Sequence, residues 1–276
     1  MSYKIISDSA SDLLKFDNCC YESVPLTINT SEKEYIDDEN LNVDQMVDDL
    51  RVYEGKSTTA CPSVGRYLKS FEGNDEIYVV TITSKLSGSY NAAVLAKNMY
   101  LEDHPNAKIH VFDSLSTGPE MKLLIEKIAE LKSMNCSFEE TVEKASSYLT
   151  TTELYFCLQS VHNLAQNGRV SKLSDIATRL LNIGIIGKAK EGVLHVLHKC
   201  VGAKKSLRTL SELVKEKIKG LKVRISHVKN LKVAETLKTI LLEHFKDLDI
   251  EINKSGGLCS YYAEEGGVLI AFETAK

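Results

Sequence analysis

Apolar and polar positions in the first half of the chain follow two alternating rhythms. Short runs rich in β-branched residues at 4–6, 24–28, 77–82, 108–112 and 154–158 predict strands. Between them apolar residues recur at helical spacing: Ala92, Leu95, Ala96 and Met99, then Met121, Leu124, Ile125 and Ile128, then Phe138, Val142, Ala145 and Leu149. This alternation predicts an α/β unit, a mainly parallel sheet with helices on both faces.

Beyond about residue 160 the texture changes. A helical stretch at 171–181 leads into an apolar run at 183–186, a strand-like segment at 193–197 and a helix at 203–219. A strand at 223–227, a helix with Ala234, Leu237 and Leu241 on one face, and closing strands at 250–252 and 268–272 complete the pattern. Two β-α pairs with short antiparallel returns predict a smaller α+β domain. The chain therefore reads as α/β with two domains, residues 1–158 and residues 159–276. No Pro- or Gly-rich linker separates them, and there is no internal repeat.

Composition narrows the function classes. The 276 residues are 43% hydrophobic and 26% charged, with 34 basic against 38 acidic side chains and a net charge of -4. An ordinary apolar fraction with interspersed charge excludes a disordered chain. The balance also disfavours a nucleic-acid binder, which needs a basic stripe for phosphates. No segment reaches the ~18 consecutive apolar residues of a membrane span, so a soluble, cytoplasmic protein is expected. The seven cysteines form no CxxC pair, which argues for reduced thiols and against a zinc cage.

Candidate chemistry gathers at strand ends. The strand at 4–6 runs into Ser7-Asp8-Ser9-Ala10-Ser11-Asp12, that at 77–82 into Thr83-Ser84-Lys85-Leu86-Ser87-Gly88-Ser89, and that at 108–112 into Asp113-Ser114-Leu115-Ser116-Thr117-Gly118. If the strands are parallel, all three hydroxyl-rich turns share the carboxyl rim of one sheet, where α/β proteins bind ligands. A fourth cluster, Ser57-Thr58-Thr59, precedes Cys61-Pro62-Ser63, whose proline suits a helix start. In Leu86-Ser87-Gly88-Ser89, Gly88 permits close backbone approach, and the following helix offers free N–H groups to an anion. With Asp8 and Asp113 close by and no Walker glycine loop, a single carboxylate fits better than a polyphosphate.

Enzymatic signals are weak on the same residues. No serine sits in a G-x-S-x-G elbow, and no histidine stands out as a base for Ser or Cys. His195 and His198 read as strand residues rather than a metal pair, and His227 as a rim or core histidine. No metal or cofactor is expected. Asn167-Gly168-Arg169-Val170-Ser171 reads as a turn before a helix cap, with Arg169 exposed.

Taken together and in order, Ser7-Asp8-Ser9, Thr59-Ala60-Cys61-Pro62-Ser63, Leu86-Ser87-Gly88-Ser89-Tyr90, Asp113-Ser114 with Gly118, and Gly168-Arg169-Val170-Ser171 resemble the bacterial DegV family along essentially the whole chain. The resemblance implies a two-domain fold enclosing one long-chain fatty acid. It also implies a role as the non-catalytic binding subunit of a fatty acid kinase, which presents the carboxylate to a separate ATP-using subunit for acyl-phosphate formation. On this resemblance Thr59 and Ser87 hydrogen-bond the carboxylate, Gly88 supplies an amide or room, and residues 159–276 cover the acyl tail. Arg169 matches an arginine associated with docking the kinase. Membrane contact is at most transient, and no nucleic acid is implied.

The sequence also departs from the family pattern. Ala60 replaces a serine, and Tyr262 replaces a late histidine, leaving a phenol that donates a hydrogen bond but cannot become an imidazolium. Residues 181–185 lack a lysine-proline pair, and Val201 stands where a second docking arginine is common. Two other readings follow from the same residues: a hydrolase or transferase on a small acylated substrate using Ser87 or Ser9, and a regulatory relative that has lost its ligand.

Overall fold

The computed structural model describes residues 2–170 and 182–274. The helix expected at 171–181 lies outside the described residues.

The first sheet contains β1 (Tyr3–Asp8), β2 (Cys20–Val24), β6 (Glu76–Thr81) and β7 (Lys108–Asp113), hydrogen-bonded in the order β2-β1-β6-β7 with every neighbour parallel. Strand periodicity sends successive side chains to opposite faces, and both faces are covered. Ile5, Tyr78 and Val80 pack against α4 (Pro119–Ser133) and α5 (Phe138–Leu149). Ile6, Ile77 and Val79 pack against α2 (Val64–Phe71) and α3 (Ser89–Asp103). Serine caps punctuate this layer. Ser63 caps α2 directly after Pro62, and Ser137 with Glu140 forms a capping box on α5.

Six strands form the second sheet in the order β10-β9-β8-β13-β11-β12. These are β8 (Thr152–Leu158), β9 (Ile183–Lys190), β10 (Val193–Val201), β11 (Ile218–His227), β12 (Asp249–Lys254) and β13 (Val268–Thr274). On one face Tyr155, Ile186, Ile225 and Ile270 pack on α7 (Ala203–Lys217) and α8 (Leu231–His244). The other face, with Leu154, Phe156, Leu158 and Leu269, turns toward the first sheet.

Helix α4 lies between the two sheets. Met121, Leu124 and Ile125 join the core under the first sheet, whereas Leu123 joins the cluster on the inner face of the second. Apolar residues on more than one side let the helix pack against both layers, while its buried Glu120 and Lys122 are paired with Thr152 and Asn253.

Two strand expectations need correction. The run at 24–28 contains Pro25, which lacks a backbone donor. The run splits there: β2 ends at Val24, and β3 (Thr27–Asn29) enters a separate antiparallel sheet with β4 (Glu34–Ile36) and β5 (Thr58–Ala60), ordered β4-β3-β5. The run at 154–158, expected in the first unit, forms β8 and pairs with β9 and β13 inside the second sheet. The boundary expected after residue 158 thus falls behind a strand already committed to the later sheet.

The β9–β10 hairpin reaches back over the first sheet. Its turn, Glu191-Gly192, has positive φ at both residues, as a two-residue hairpin turn requires. The Gly192 carbonyl accepts a 2.9 Å hydrogen bond from Thr83 Oγ1.

Candidate functional site

Because β1, β6 and β7 are parallel, their three hydroxyl-rich turns do share one rim. Most of these groups are engaged in holding the rim together. Asp8, fully buried at the end of β1, accepts hydrogen bonds from Ile82 N (2.9 Å), Ser89 Oγ (2.5 Å) and Ala10 N (3.3 Å). Burial pushes its carboxyl up to about 7 against those stabilising donors. Ser89 Oγ also meets Tyr67 OH at 2.7 Å. Asp113 Oδ1 accepts from Ser84 N and Leu115 N, and Ser9 Oγ accepts from Leu26 N.

Ser87 and Gly88 face a different environment. Both line a cavity of about 310 Å³, together with Thr59, Tyr262 and Arg169. Gly88 is the N-cap residue of α3, with no side-chain cap, so the first-turn N–H groups of a 15-residue helix start at this point. A Cβ at position 88 would stand 3.1 Å from Cys61 Sγ, so glycine keeps the approach to the helix end open. Ser87 Oγ, half-buried, accepts from Ser89 N at 3.3 Å and keeps its own proton to donate.

Thr59 reaches the cavity from β5 and Tyr262 from α9 (Gly257–Ala263). Their oxygens are 2.8 Å apart. Helix α9 is fixed at its start by two acids that sequence reasoning did not single out for this role. Asp37 accepts from Gly257 N (2.6 Å) and Leu258 N (2.9 Å), and Asp12 from Gly256 N (2.8 Å). Burial raises both carboxyls, that of Asp12 to about 7. Next along α9, Tyr261 OH meets Ser57 Oγ at 2.7 Å and accepts from Asn167 Nδ2. The rings of Tyr261 and Tyr262 pack edge to face.

Arg169 is not the solvated arginine expected. Helix α6 (His162–Gln166) ends in a Schellman turn, with Gly168 at positive φ, Gly168 N bonded to Ala165 O and Arg169 N to Leu164 O. The turn folds Arg169 back, half-buried, against the cavity. Its guanidinium donates to Asn167 O at 3.3 Å.

Apart from Thr117, the rest of the lining is largely apolar, including Leu26, Ile82, Leu154, Phe156, Leu194 and Leu269. The rim loop after β6 supplies Ser87 and Gly88 to the polar end, β5 and α9 supply Thr59 and Tyr262, and the inner face of the second sheet supplies much of the wall. The hydrocarbon lining was not legible as such, because the same leucines read simply as core. His195 and His198 are exposed on the edge strand β10. Among the described residues no group of three His, Cys, Asp or Glu side chains could hold a metal ion, and no helix is long and apolar enough to cross a membrane.

Residues 2–274 match the family model described as "Uncharacterised protein, DegV family". The chain belongs to the DegV family. A DegV domain-containing protein of Streptococcus pneumoniae is 46% identical over 279 residues, covering 99% of each chain. Among solved DegV-type structures, the Streptococcus pneumoniae Fatty Acid Kinase (Fak) B3 protein loaded with linoleic acid is 45% identical with a TM-score of 0.96, covering 100% of both chains. A DegV family protein from Eubacterium eligens loaded with heptadecanoic acid is 41% identical, also with a TM-score of 0.96, covering 99% of this chain and 100% of that one.

Proposed function

We propose that this DegV protein binds one long-chain fatty acid, holding the carboxylate at Thr59, Ser87, Gly88 and Tyr262 and burying the tail in the apolar cavity, for presentation to a separate kinase subunit. The observation that carries the reading is the junction within one cavity of a leucine-rich wall with hydroxyl donors and a helix N-terminus. That pairing suits an amphiphile with one negative end. Each methylene buried contributes about 0.8 kcal/mol, so a long tail gives tight retention. Similarity to the Fak B3 protein supports the kinase partnership.

The reading makes the chain a carrier. Among the described residues no histidine or carboxylate lines the cavity, so Ser87 has no base beside it to make a nucleophile. Ser9 is fully buried and does not line it. Arg169, half-buried where it lines the cavity, remains proposed as the residue at which the kinase subunit docks, and its guanidinium also suits carboxylate and phosphoryl oxygens. The test is denaturation of the purified protein, extraction of lipid and mass spectrometry. A stoichiometric acyl chain is expected. An empty protein that also takes up no added oleate or palmitate overturns the reading.

A further inference from the structure

On the cavity face of the second sheet, Phe156 of β8 and Gly187 of β9 are direct cross-strand partners. The Phe156 ring lies over Gly187. A Cβ at position 187 would collide with the ring edge, and with the backbone carbonyl of His195 on the neighbouring strand. Phe156 is 4% exposed, and it is the one phenylalanine among the described residues lining the cavity. Its aliphatic neighbours there are mostly leucines, flexible groups that adjust by rotamer, whereas a rigid ring must be housed or must protrude.

We infer that the Gly187–Phe156 pair sets the bore of the acyl cavity and selects kinked chains, cis-unsaturated or methyl-branched, over straight saturated ones. The missing side chain at 187 gives the ring a recess against the sheet and leaves the bore the width that the ring does not fill. Any side chain at 187 drives the ring inward and narrows it. A straight chain passes a narrow bore; a bent chain needs width. Pockets discriminate a single methylene by about tenfold or more, so displacement of an aromatic ring is enough to change the ranking of ligands.

The inference rests on the fatty-acid reading above. Its test is competitive loading with equimolar oleate and palmitate, followed by extraction and mass spectrometry. Wild-type protein is expected to take oleate preferentially. G187A is expected to shift the oleate-to-palmitate ratio about tenfold toward palmitate. Because the His195 carbonyl also crowds position 187, G187A can fail to fold; F156L then decides. F156L removes the ring without adding bulk, and is expected to admit a methyl-branched acid about tenfold better relative to palmitate. A wild type that prefers palmitate, a folded G187A with the wild-type ratio, or a loaded F156L with the wild-type ranking overturns this inference and leaves fatty-acid binding intact. A wild type that loads no acyl chain overturns both.

Discussion

The hydroxyl of Thr59 and the phenol of Tyr262, 203 positions apart in sequence, lie 2.8 Å from each other at the polar end of the cavity. Each group orients the other, so that one proton is shared between them and one remains for a ligand oxygen. Y262F and T59V are each expected to weaken acyl retention by about tenfold, the equivalent of one hydrogen bond. The double variant should lose less than the sum of the two, as checked by competition between loaded protein and lipid vesicles.

Ser89 links the buried Asp8 carboxyl to the Tyr67 phenol at the start of α3. S89A leaves the buried Tyr67 phenol without this partner and Asp8 with only its two backbone donors. The expected cost is about 1–3 kcal/mol in urea unfolding. Acyl retention should fall as well, because the same turn carries Ser87 and Gly88.

Glu120 makes the fold sensitive to pH. Its side chain, buried in the first turn of α4, accepts from Thr152 Oγ1 at 2.7 Å, and burial lifts its carboxyl from the ordinary 4.5 to about 7. In the unfolded chain the group has lost its proton where the folded protein still holds it. Stability therefore falls as pH rises through that interval and levels off above about 7. Asp8 and Asp12, raised to about 7 from 3.8, act in the same direction. E120Q should match the wild type near about pH 5 and exceed it near about pH 8 by on the order of 3 kcal/mol, measured by urea melts across that range.

Thr83 fastens the β9–β10 hairpin to the rim of the first sheet through Gly192 O. Leu194, just past that turn, forms part of the cavity wall. T83V removes the donor while keeping the shape of the side chain. Its acyl chain should exchange with vesicles severalfold faster than in the wild type, with a loss of about 1 kcal/mol in stability. Exchange at the wild-type rate would show that the hairpin does not control access.

Arg169 is expected to matter more for charge than for fold. R169Q should lower the affinity for the fatty acid anion and leave the melting temperature of the unloaded protein within a few degrees of wild type. Binding isotherms of oleate against its uncharged methyl ester separate the two effects: the variant should lose discrimination between them.

Local chemistry made the rim legible in sequence. Each of β1, β6 and β7 runs into a turn rich in residues drawn from Ser, Thr, Asp and Gly, and a strand followed by such a turn carries its own signature. Thr59, Ser87, Gly88 and Tyr262 could be named through family resemblance, and they line one cavity. Features that depend on distant pairing stayed hidden. Residues 154–158 look the same whichever sheet they join, and only the pairing of β8 with β9 and β13 decides it. Asp37 is an ordinary loop acid until α9 arrives from 220 positions away to be capped. Arg169 looked solvent-facing because its turn was readable and the wall behind it was not. Phe156 and Gly187 become a pair only through the register of β8 with β9.

The cavity's polar end is gathered from a rim loop, a short strand and helix α9, and its greasy wall largely from the second sheet, with α4 wedged alongside as a shared spacer. On the proposed reading an acyl tail lodged there would be solvated by the protein much as a core leucine is, adding packing to that already made by α4. Loading is in that sense the last step of folding. On the proposed reading the guest is in part interior, so its departure would leave the walls around it less tightly packed.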